Sequence, residues 1–216
     1  MTGNKKGYSL VELVVVMAIA GILAVIAVPQ YANFTAKGNV RKAANDLLQN
    51  TRLARTLAIR DNQVYMISFD IPGNSYTIGF DSDGDSILDT FDNGPERVFD
   101  LQREYGNDIQ FGTFTATGPA EPDICGSCIA IGGSTVAFGP AAGTVEQFNP
   151  DGSVSLRGSV FINHTRLGYT YMVRVSYLSG KFDLWKWDGE IDNPDPPDVL
   201  SCAASPIRYC DWTEVR

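Results

Sequence analysis

The stretch YSLVELVVVMAIAGILAVIAV, from Tyr8 to Val28, decides the architecture. As a helix rising ~1.5 Å per residue it is long enough to cross a hydrocarbon layer of ~30 Å. The segment before it, MTGNKKG, is short and polar and carries Lys5 and Lys6. By the positive-inside rule those lysines stay cytoplasmic and everything after Val28 lies outside. A secretory signal peptide has an apolar core of only about 7 to 15 residues and then a small-residue cleavage site; this run is longer and ends at Pro29. A plain signal anchor fits length and flanks equally well, but leaves Glu12 unexplained. A carboxylate near the centre of a span costs ~2.5 to 3.5 kcal/mol, less near its end, and usually has a partner.

Gly7, Tyr8, Glu12 and Pro29 together resemble the N-terminal signature of type IV pilins and pseudopilins. That signature is a short basic leader ending in Gly, an aromatic first mature residue, Glu as the fifth residue after the cut, and Pro about one span further on. Tyr8 stands where the family usually has Phe. The resemblance implies that a prepilin peptidase cuts between Gly7 and Tyr8 and methylates the new amine. It also implies other pilins or pseudopilins and an inner-membrane assembly platform as partners. In a dry bundle of such helices the Glu12 carboxylate needs a cation, and the freed amine of a neighbouring Tyr8 would supply it. Pro29 removes a backbone donor and crowds the preceding turn, which predicts a kink or local melting where the span leaves the membrane.

Beyond Pro29 the helical period continues. Val40, Ala43, Ala44, Leu47, Thr51, Ala54 and Ala58 recur at three or four residues, so one helix is expected to reach about Arg60, with this stripe against the domain that follows. The other face carries Lys37, Arg41, Lys42, Arg52, Arg55 and Arg60 against Asp46, read either as a solvated face or as a contact with acidic neighbours. After Asn62 the period becomes two. QVYMISFD, SYTIGFD, RVFDLQ, STVAFGP, VSLRGSVFINH, YTYMVRVSY and GKFDLWKW read as about seven strands, with turns at Pro72 to Asn74, Asp151-Gly152 and Ser179-Gly180 and no second helix. The expected fold is α+β: a long N-terminal helix, transmembrane and then amphipathic, packed on an antiparallel β-sandwich.

The strand order, the acidic Asp/Gly loop, the FGP strand, the DG turn and the closing hairpin through Tyr171 to Ser176 and Gly180-Lys181 resemble minor pseudopilins of the GspH/FimT-like group. The implied organisation is a prepilin leader over 1–7, a transmembrane helix over 8–28, an amphipathic helix over 29–60, a β-sandwich globular domain over 61–190 and a disulfide-closed tail over 191–216. The tail, rich in Asp and Pro, falls outside the pattern of that group.

In the loop DSDGDSILDTFDN, Asp81, Asp83, Asp85, Asp89 and Asp92 can converge on one ion, and calcium (Ca2+), with 6 to 8 oxygen ligands, suits them. The spacing is similar to thrombospondin type 3 calcium repeats, but Ser86 stands where that repeat prefers Gly. The other reading is an acidic solvated turn. Cys125 and Cys128, then Cys202 and Cys210, suggest two short-range disulfides outside the cytoplasm, since a second CxxC and further His ligands for zinc are missing. Trp185 and Trp187 share one strand face and Phe182 and Leu184 the other, as packing residues would.

The formal net charge of -8 disfavours phosphate backbones. His164, the single His, has no legible Ser, Cys or Asp partner, so nothing supports nucleophilic catalysis. By resemblance the function is a minor pilin or pseudopilin, a structural subunit that initiates or caps a type IV pilus or type II secretion pseudopilus. The alternative is a DNA-binding tip pilin for DNA uptake, which rests on a basic strand face through Arg166 and Arg174.

Overall fold

The structure is a computed structural model, and it describes residues 9–81, 88, 97–112, 120–122, 128–130, 136–138, 144–187 and 212–215. Its first element, α1 (Leu10–Asp61), is a single helix of 52 residues. Position 29 is helical like its neighbours, so the local melting expected there does not occur. A proline removes one donor, and the bonds of the turns on both sides carry the ladder past it. Asn62 ends the helix in the left-handed region (φ 53°, ψ 41°) with its N–H on the carbonyl of Ala58.

Two antiparallel sheets follow. The first has the order β3 (Arg97–Asp100), β2 (Ser75–Asp81), β1 (Val64–Asp70), β8 (Val145–Phe148). The second runs β12 (Trp212–Glu214), β11 (Lys181–Trp187), β10 (Thr170–Tyr177), β9 (Gly158–His164), β4 (Ile109–Phe111), with β7 (Val136–Phe138) also on β9. A separate pair joins β5 (Ala120–Pro122) to β6 (Cys128–Ala130). Each of the seven expected strand segments contains a strand; β4, β5, β6, β8 and β12 come in addition.

RVFDLQ is corrected: the strand stops at Asp100 and a five-residue helix, α2 (Leu101–Tyr105), begins. The Asp100 side chain accepts the N–H of Arg103 at 3.0 Å, a cap that turns the chain out of the sheet. The expectation of no second helix therefore fails. The tail also returns to the body, because β12 pairs with β11 at Trp185↔Glu214, Lys186↔Thr213 and Trp187↔Trp212.

The sheets meet through aromatic rings. Phe69 of β1 stacks on Phe138 of β7 at 5.8 Å and meets Phe111 of β4 edge-on at 5.7 Å, while Phe148 of β8 lies 6.1 Å from Phe182 of β11. The helix stripe closes the same core. Val40, Ala43, Ala44, Leu47, Thr51, Ala54 and Ala58 are all buried, as their spacing requires, and the alanines let α1 approach both sheets closely. On the other face of the second sheet, Phe161, Met172 and Trp187 form a second cluster with Trp185 against it, while Phe182 and Leu184 face the main core.

Candidate functional site: the free half of the helix and its docked base

The helix has two unlike halves. From Leu10 to Ile26 its large apolar side chains are exposed, Leu10 by 79% and Val25 by 76%, and exposure continues through Tyr31 and Phe34. Burial begins only at Val40. Such an apolar, uncovered half is long enough to cross a membrane. Glu12 sits in the first turn, exposed among these side chains, where the helix dipole favours a carboxylate. Gly7 and Tyr8 lie outside the described residues.

The other half is bolted to the domain through polar side chains that the charge pattern alone does not explain. Tyr105 of α2 donates its hydroxyl to Asp46 at 2.8 Å, and Asn50 donates to the hydroxyl of Tyr76 at 2.7 Å. Burial raises both phenols above their ordinary pKa, and for Tyr105 the bond to Asp46 adds to the shift. Lys37 lies over the ring of Tyr169 and Lys42 over that of Tyr105, at 5.5 and 5.6 Å from the centroids.

Arg55 reaches furthest. Its Nε donates to the carbonyl of Gly152 at 2.7 Å and its Nη2 to the carbonyl of Ser179 at 2.9 Å, joining two turns that the sequence marks separately. Arg60 donates to Asp61 through two bonds of 2.6 and 2.7 Å, and Tyr65 donates to the same carboxylate at 2.8 Å. Lys37, Lys42, Arg55 and Arg60 are thus engaged within the chain, which neither reading of the basic face anticipated.

Of the five loop aspartates, Asp81 ends β2 and is buried, whereas Asp83, Asp85, Asp89 and Asp92 lie outside the described residues. Among the described residues no group of three or more His, Cys, Asp or Glu is placed to hold a metal. Cys125, Cys202 and Cys210 lie outside them as well, and of Cys128 only the backbone, in β6, is described. His164 is a clasp. Its Nδ1 accepts the N–H of Arg166 at 3.3 Å, its Nε2 is 4.0 Å from Asp108, and the Arg166 guanidinium binds that carboxylate directly. Burial holds the imidazole below its ordinary pKa. Arg174 of β10 stands opposite Asp183 of β11.

Residues 2–28 match the prokaryotic N-terminal methylation motif. The N-terminal segment carries that motif. The chain is similar to a fimbrial protein of Pseudomonas aeruginosa, 49% identical over 43 residues that make 20% of this chain and 28% of that protein. It is similar to the type IV major fimbrial protein FimA of Dichelobacter nodosus, 46% identical over 46 residues, 21% of this chain and 30% of that one. The chain thus spans less than a third of the curated pilins it matches. Among solved structures, the minor pseudopilin EpsH of the Vibrio cholerae type 2 secretion system aligns with TM-score 0.43 and 14% identity over 68% of this chain and 95% of that one. The type IV minor pilin FimU of Pseudomonas aeruginosa aligns with TM-score 0.45 and 16% identity over 70% and 91%. Glu12 and Pro29 stand on one unbroken helix with the docked base.

Proposed function

We propose that this chain is a minor pilin or pseudopilin, a structural subunit that initiates or caps a type IV pilus or a type II secretion pseudopilus. The observation that carries the reading is the division of α1: an exposed apolar first half with Glu12 in its opening turn, continuous with a second half that buries one face against the two sheets. Such a helix is unstable alone in water and is at home in a bilayer or a bundle of its own kind. The prepilin peptidase removes residues 1–7 and methylates Tyr8, the first half anchors the chain in the inner membrane with the sandwich outside, and neighbouring pilins receive the helix in the filament. DNA binding is not favoured, because Arg166 is already paired with Asp108. Intact-mass spectrometry of protein from cells with a prepilin peptidase should show loss of residues 1–7 and one methyl group on Tyr8. The chain should also copurify with sheared filaments. Mature filaments that retain the full leader would overturn the reading.

A further inference from the structure

Strand β8 places Glu146 and Phe148 on the face that looks into the core. Glu146 is 1% exposed and borders a cavity of about 10 Å³ between α1 and the two sheets, with Leu47, Thr51, Ile67, Phe148 and Val173 among its walls. One carboxyl oxygen accepts the N–H of Leu156 at 3.3 Å; the other, Oε2, has no hydrogen-bond partner among the described residues. The hydroxyl of Thr51 is already spent on the carbonyl of Leu47, at 2.8 Å, one turn back along α1. Of the residues that α1, β1, β7, β9 and β10 direct at this cavity, none is charged or titratable. Among the described residues an ionised carboxylate in that setting has no counter-charge at the cavity and only the backbone N–H groups of Leu156 and Gln147 against it, too little to repay its desolvation.

We propose that Glu146 is a proton-operated latch on the docking of α1: with its carboxyl protonated the helix seats against both sheets, and ionisation loosens the seat. Burial pushes the Glu146 carboxyl up to about 8 from 4.5. The folded protein therefore holds a proton that the unfolded chain releases. The stability this confers is fully present below pH 4.5, falls as pH rises, and is gone once pH has passed about 8. Across that window the folding equilibrium of the wild type should weaken by on the order of a thousandfold relative to a variant that cannot ionise.

The test is thermal melting of the full chain in detergent micelles between pH 5 and 9. It is paired with hydrogen exchange of the amides over 43–58, corrected for the intrinsic pH dependence of exchange. Wild type should melt highest at the acid end and lose protection in that segment toward pH 9. Glu146→Gln should flatten both profiles, and Glu146→Leu, which carries no polar atom into the core, provides the same comparison if the amide does not fold. Wild-type profiles that parallel those of either variant would overturn the latch, as would protection over 43–58 that stays constant with pH.

Discussion

A Cβ placed on Gly180 would lie 2.6 Å from the Nε of Arg55, closer than any side chain tolerates. Gly180 holds φ +77°, and Gly152, the carbonyl partner of Arg55, holds φ +80°. Two left-handed glycine turns and one arginine thus form a single joint between the helix and the ends of two hairpins. That joint makes Arg55→Ala expensive, about 1 to 2 kcal/mol, because two carbonyls lose a charged donor. Gly180→Ala should destabilise by a similar amount through its backbone alone and by more in the presence of Arg55. A double-mutant cycle by thermal melting of the full chain in detergent should show the second loss shrinking in the Arg55→Ala background. Strict additivity would separate the two residues.

Glu12→Ala is expected to leave membrane insertion and the folded sandwich intact, since Glu12 has no role in the buried half of α1 and removing a charge eases insertion. Incorporation into sheared filaments should fall. Immunoblots of membrane and filament fractions measure both, and normal incorporation would dismiss a recruiting role for the carboxylate.

The bonds from Arg60 and Tyr65 hold the Asp61 carboxyl at about 2, against an ordinary value of 3.8. With the folded value below the unfolded one, the stability from this cluster is present above about pH 4 and disappears as pH falls through 2. Tyr65→Phe removes one of the three bonds to this carboxylate and should move the titration of Asp61 upward, as read by NMR of its carboxyl carbon. An unmoved titration would place all of the effect on Arg60.

Calcium is expected to raise the melting temperature of the full chain in detergent above that in chelator, with magnesium a poor substitute because it demands a smaller octahedral shell. At about a hundred times its Kd the ion would add ~2.7 kcal/mol. Asp83→Ala with Asp85→Ala should abolish the difference. Equal melting in calcium and chelator would reduce the loop to an acidic turn.

The helix was legible because burial demands the same period along its whole docked face: Val40 to Ala58 satisfies it at every expected position. Strand β8 was not, since Glu146 stands on its core face where alternation calls for an apolar residue. Strand β4 is three residues long, too short for any period. In RVFDLQ the apolar Leu101 prolonged the strand pattern, although Asp100 as a capping residue was the available sign of a helix. The role of Arg55 could not be read, because its partners are carbonyls 97 and 124 residues away that carry no side-chain signature.

The free edge of β9 is covered in two instalments. Ile109, Gln110 and Phe111 pair with His164, Asn163 and Ile162, and Val136, Ala137 and Phe138 continue along Val160, Ser159 and Gly158. The border strand is therefore a seam, entered once, left at Gly112 and resumed at Val136. Chain added or removed between those two points lengthens or shortens an excursion that carries the β5–β6 pair and whose ends are already pinned, and closure entropy grows only slowly with length. The ladder beneath keeps its register. Insertion or deletion at this seam should therefore leave the seat of the helix unchanged, on the side of the molecule that a strand from another chain would otherwise find open.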